Sequence, residues 1–109
     1  MIEDERMQTF KKKRMEIIVE APIVPLTTAL LERKGVRAYT VLPTLRGLGQ
    51  EGRWSGEGQV GAAGQMMLIL AVTTEERMQT LLDDLHAQLQ RHFGYVTISD
   101  CEVMRSDRF

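Results

Sequence analysis

Residues 65–72 read QMMLILAV, and TTEERMQTLLDDLHAQL follows directly through residue 89. After the leading glutamine the first run is continuously apolar and too short for an ordinary helix, the pattern of a central strand covered on both faces. The period then changes. Met78, Leu81, Leu82, Leu85 and Leu89 recur at helical spacing, which marks an amphipathic helix. Thr73 stands three residues before Glu76 in the arrangement of a capping box, and Gly94 is placed to stop the helix. A buried strand that runs straight into an amphipathic helix is half of a crossover unit, and it sets how the flanking segments are read.

Downstream, residues 95–104, YVTISDCEVM, form a strand whose Val96 and Ile98 face continues into Asp100 and Glu102 and so emerges into solvent midway. Upstream, Met15, Ile17 and Val19 alternate with Glu16, Ile18 and Glu20, a strand with one buried face that Pro22 ends. Pro25 suits a first helical position, Leu26, Ala29 and Leu30 share a face, and Gly35 is the expected stop. Residues 36–41, VRAYTV, read as a second strand that Pro43 would interrupt. The order β-α-β-β-α-β, with two right-handed crossovers on one side of a four-stranded antiparallel sheet, is the ferredoxin-like architecture of the α+β class. Residues 1–13 are polar and aperiodic and are expected to be a flexible extension, which leaves residues 14–109 as the domain. The helix-free face of the sheet is apolar in places, so a second copy of the chain is expected to cover it.

With 109 residues, 43% apolar and 27% charged, the chain has the composition of an ordinary globular domain. A domain of this size buries roughly 65% of its unfolded surface, so a cleft walled by one chain alone is not generous. A net charge of -1 argues against a general nucleic-acid binder, and the basic run at Lys11, Lys12, Lys13 and Arg14 is offset by Glu3, Asp4 and Glu5. The RNA recognition motif shares this architecture, but it stacks bases on aromatics of its first and third strands, and RMEIIVE and QMMLILAV contain none. Cys101 is the one cysteine, so no internal disulfide or Cys/His metal cluster is available, which suits a cytoplasmic protein. No stretch has the roughly 18 apolar residues of a membrane span. His86, His92 and the methionines at 66, 67 and 78 read as structural residues.

Between the second and third strands lies RGLGQEGRWSGEGQVGAAG, residues 46–64, with seven of the nine glycines, Arg46, Arg53 and Trp54. A structureless connection of this length is usually functional or disordered. Gly47 and Gly49 could let successive N–H groups point at an anion, with Arg46 and Arg53 forking onto its oxygens; a solvated hairpin is the plainer reading. Trp54 is expected to dock on its own domain or on a ligand. Neither a P-loop nor a dinucleotide fingerprint is present.

AYTV at 38–41, RGLG at 46–49 and Arg105 after the last strand resemble the PII family of signalling proteins over roughly residues 14–105. The divergent sequence and short loops are most similar to the PII-like branch and its carboxysome-associated members. The resemblance implies a homotrimer with adenine nucleotide in clefts between subunits, and residues 46–64 as the family's T-loop. It places Thr40 and Val41 under the adenosine, Gly47, Gly49 and Gln50 around phosphates, Gly94 in the short segment before the last strand, and Arg46 and Arg105 as charge. Arg108 lies one position from the family's second basic residue. Bicarbonate is the implied co-ligand, with Arg53, Gln50 and Glu51 as its candidates.

Departures from the family pattern refine this. Residues 46–64 contain no tyrosine for nucleotidylylation and no lysine for 2-oxoglutarate. The phosphate-holding segment before the last strand is cut to HFGY at 92–95, which implies ADP or AMP in preference to ATP. A lone Cys101 excludes the redox loop of some PII-like members. The expectation is a non-enzymatic sensor without a cofactor, reporting inorganic-carbon and energy status to a transporter or carboxysome component. The rivals are a slow nucleotide hydrolase and a nitrogen-regulatory PII sensor.

Overall fold

The computed structural model describes residues 8–49, 52–55 and 65–109. Strand β1 (Phe10–Glu20) leads through a 3-10 turn (Ala21–Ile23) into helix α1 (Val24–Arg33) and strand β2 (Ala38–Pro43). A short hairpin follows, β3 (Arg46–Gly49) and β4 (Gly52–Ser55), then β5 (Met66–Thr73), helix α2 (Glu75–Leu89), β6 (Gly94–Val103) and a closing 3-10 turn (Ser106–Arg108). The main sheet has the order β2-β5-β1-β6 with every pair antiparallel. This is the expected ferredoxin-like sheet, each crossover helix joining two strands that have one strand between them.

The register puts Ile17 opposite Ile69 and Met15 opposite Ala71, and β6 brings Val96 and Ile98 to the same row pair. Because side chains alternate across a strand, Met15, Ile17, Val19, Ile69 and Ala71 all point to the helix side, where they meet Leu30, Leu31, Met78, Leu81 and Leu85 in one buried cluster. One polar bridge joins the helices inside this layer: Gln88 Nε2 donates to Thr27 Oγ1 at 2.6 Å, and that hydroxyl donates to the Ile23 carbonyl at 2.9 Å. On the opposite side, Leu42, Leu68, Ile18 and Tyr95 form a row across all four strands, with no helix over it among the described residues.

Several boundaries differ from expectation for physical reasons. β1 starts at Phe10, four residues before the expected domain start, because Phe10 to Lys13 pair with Val103 to Asp100. Pro43 belongs to β2 instead of interrupting it, since β2 is an edge strand where a missing donor is tolerated. The helix cap is Thr74, whose side chain accepts from the Arg77 N–H at 3.1 Å. Thr73 is the last residue of β5, paired with Lys13, so the capping box read from the sequence is not formed. Nor does Gly94 stop α2, which ends at Leu89. Gly94 opens β6 at φ 155, and a Cβ there would sit 2.3 Å from the Ile18 carbonyl oxygen, so it is glycine to let β6 approach β1. Asp100 and Glu102 do continue the Val96 and Ile98 face beyond the helices, as the sequence suggests.

Thr73 Oγ1 is fully buried and has no hydrogen-bond partner among the described residues. An unsatisfied buried hydroxyl costs about 1–3 kcal/mol of desolvation. Thr73→Val keeps the shape and removes that cost, so it is expected to raise the urea midpoint with an unchanged slope; a lowered midpoint would show that the hydroxyl is satisfied in solution.

Candidate functional site

Arg46 to Gly49 and Gly52 to Ser55 form a separate two-stranded sheet in register Arg46↔Ser55, Gly47↔Trp54, Leu48↔Arg53 and Gly49↔Gly52. The segment read as an open phosphate loop is therefore extended at its base. Neither Gly47 nor Gly49 has a positive φ, whereas an anion nest alternates right- and left-handed residues; that geometry is absent here. Gln50 and Glu51 lie outside the described residues, as do residues 56–64.

Strand alternation sorts the hairpin into two faces. Gly47, Gly49 and Trp54 share one. Arg46, Leu48 and Arg53 share the other, where all three are exposed. The two arginines are diagonal neighbours across the pair, roughly 7–8 Å apart at Cα, close enough for both guanidinium groups to reach one anion.

Trp54 docks on its own chain, one of the two fates open to it in the sequence. Its indole Nε1 donates to Thr44 Oγ1 at 3.1 Å, and the Thr44 hydroxyl donates to the Met66 carbonyl at 2.7 Å. The Thr44 N–H donates to the same carbonyl at 3.2 Å. The ring lies so close over β3 that a Cβ on Gly47 would be 2.3 Å from it. Thr44 carries no signal in the sequence; a lone threonine after a proline reads as loop filler until the fold places it beside Trp54.

The remaining candidates separate along the sheet. Gly94 pairs with Val19 at the end of β1 from which the hairpin springs. Thr40 is exposed on the helix-free face, opposite Leu70. Val41 points the other way and is partly buried against the core. Arg105 and Arg108 are exposed around the closing 3-10 turn, next to Val103, which pairs with Phe10 at the far end of β1. The Phe109 carbonyl accepts from Arg77 Nη1 at 2.6 Å, which holds this tail beside the start of α2. The two sets therefore lie toward opposite ends of an eleven-residue strand. One chain does not bring them together.

Residues 12–108 match the family model described as nitrogen regulatory protein P-II. The chain belongs to the PII family. It is similar to CPII, a nitrogen regulatory PII-like protein from Thiomonas intermedia K12, in the structure bound to ADP, AMP and bicarbonate: 30% identity over 95% of this chain and 98% of that one, with a TM-score of 0.89. The structure of CPII bound to ADP and bicarbonate gives 31% identity, 95% and 99% coverage and a TM-score of 0.86. Its apo form gives 28%, 90% and 97%, and 0.72. No curated protein sequence matches the chain. Among the described residues no group of three His, Cys, Asp or Glu side chains could hold a metal ion, and no helix is long and apolar enough to cross a membrane.

The far end of the sheet also carries a surface cavity of about 420 Å³ lined by Lys11, Lys12, Lys13, Glu75, Asp100, Cys101 and Glu102. Within it Lys13 Nζ donates to Asp100 Oδ1, and this hydrogen bond holds the Asp100 carboxyl below the usual carboxylate range and the Lys13 ammonium above its ordinary value. A lowered carboxyl contributes stability above its unfolded value and loses it as pH falls through the folded one; a raised ammonium loses its contribution only in strong alkali. The stability difference between wild type and Asp100→Asn should therefore be constant from about pH 5 to about pH 9 and close below about pH 4. Unfolding midpoints across that range check it, and a difference that changes near neutrality would contradict it.

Proposed function

We propose that the chain is a non-enzymatic regulator that binds ADP and AMP, with bicarbonate as co-ligand, in clefts between the subunits of a homotrimer. The observation that carries this reading is the separation of the candidate residues. Arg46 and Arg53, beside Gly47, Gly49 and Gly94, are exposed at one end of the sheet and Arg105 and Arg108 at the other, each set incomplete by itself. Two copies placed end against end would complete a site that one chain lacks, and the apolar row through Leu42, Leu68, Ile18 and Tyr95 gives copies a surface to share. The complexes of CPII with ADP, AMP and bicarbonate support the choice of ligands.

In this reading Thr40 and the Val41 backbone lie under the adenosine, and β3 runs beside the phosphates with Arg46. Gln50 and Glu51 join Arg53 around bicarbonate, while Arg105 and Arg108 reach in from the neighbouring subunit. Only four residues separate α2 from β6, little backbone to wrap a third phosphate, which favours ADP and AMP over ATP. The output runs through residues 46–64 toward a protein target, a transporter or carboxysome component in the cytoplasm, and reports inorganic-carbon and energy status. Leu45 and Leu48, exposed by 70% and 63%, give such a target apolar contacts.

Calorimetry with ADP, AMP and ATP, with and without bicarbonate, tests the ligands; no binding below about millimolar would overturn the reading. Subunit mixing tests the shared site. Arg46→Ala and Arg105→Ala should each weaken ADP at least tenfold, as expected for a lost charge-assisted hydrogen bond of about 1.5–3 kcal/mol. Trimers reassembled from equal amounts of both variants should regain a fraction of wild-type sites, because some clefts receive both arginines. Mixed protein that binds no better than either parent would place both arginines in a site within one chain.

A further inference from the structure

We propose that Trp54 and Thr44 form a latch that positions the β3–β4 hairpin, and that Gly47 is glycine to seat the Trp54 ring, not to admit a phosphate. This rests on the nucleotide site proposed above and names a device that sets its readiness.

A hairpin with four residues in each strand and three glycines among them is not stable by itself in water. It is also separate from the main sheet, with no shared ladder. Among the described residues, Trp54 and Thr44 tie it to the main sheet. Trp54 Nε1 donates to Thr44 Oγ1, and the same hydroxyl donates to the carbonyl of Met66, the first residue of β5. The Thr44 hydroxyl thus uses its proton on the core sheet and a lone pair on the loop. The indole then covers Gly47 from the face opposite Arg46, Leu48 and Arg53.

That arrangement has two consequences. With the ring held against β3, both arginines project from the free face, so a ligand there meets them already placed and does not bear the cost of ordering the hairpin. Any Cβ at position 47 would enter the ring at 2.3 Å from its nearest atom, a distance that requires the ring to leave. The glycine is therefore explained without a phosphate. Where only a fraction of molecules are latched, the apparent dissociation constant is the intrinsic one divided by that fraction, so the latch sets affinity through residues that touch no ligand.

Trp54 is the chain's one tryptophan, so its fluorescence reads the latch directly in the ligand-free protein. Thr44→Val removes the acceptor and should red-shift the emission and weaken ADP roughly three- to tenfold, the range of one lost hydrogen bond. Thr44→Ser keeps the hydroxyl and should restore both to wild type. Gly47→Ala should likewise expose the indole and weaken ADP, yet add no loss in a Trp54→Ala background, where no ring remains to be displaced. An equal loss from Gly47→Ala in both backgrounds would assign the glycine to the phosphate and overturn the proposal. So would wild-type emission and affinity in Thr44→Val, a variant outside every strand. Wild-type protein that binds no ADP overturns the nucleotide reading and the positioning role with it, while the Thr44→Val and Thr44→Ser emission spectra still judge the contact between Trp54 and Thr44.

Discussion

The register of β1 governs the molecule. This strand is paired along eight residues to β5 and along ten to β6, and its inward side chains Met15, Ile17 and Val19 are fully buried. A slip of one residue would turn those three to the bare face and bring Glu16 and Ile18 inside, so hydrophobic burial and hydrogen bonding select the same alignment. That alignment also sends β2 and β5 toward the hairpin at one end and carries β6 to Arg105 at the other. The distance between the two arginine sets is a consequence of the core, not of the loops.

Much of this was legible because it follows from periodicity. The apolar run of β5 and the helical spacing of Leu81, Leu85 and Leu89 require a covered strand and an amphipathic helix, and two such crossovers admit few topologies. What failed was local. Thr73 has the glutamate of a capping box three residues on, but the ladder to Lys13 extends β5 through Thr73 and leaves Thr74 as the cap. Gly94 looks like a helix stop because the sequence cannot show that the Ile18 carbonyl approaches it from another strand. Phe10 to Lys13 look like a tail because three lysines in a strand make sense only once Asp100 stands across from Lys13.

The candidate site was legible as a set of residue types and much less so as a geometry. Glycines beside arginines suggest an anion loop, and the PII resemblance assigned them to phosphate. The fold gives Gly47 a different neighbour, Trp54, seven positions away in sequence and directly opposite in β4. Such a pairing depends on the hairpin register, which a glycine-rich segment specifies weakly. Thr44 was invisible for the same reason: its importance lies in bonding two partners, at positions 54 and 66, that only tertiary structure brings to it. The functional logic joins these levels. In the proposed reading a stiff sheet holds the two arginine sets apart, and the hairpin that Trp54 and Thr44 tie to the sheet presents one of them.

Native mass spectrometry in the presence of ADP tests most directly whether the proposed nucleotide site forms only between copies of the chain. The expected result is an assembly of three 12.4 kDa chains carrying up to three ADP molecules, with monomers released from it free of nucleotide. Monomers that hold ADP as well as the assembly does, or an assembly that holds none, would contradict it.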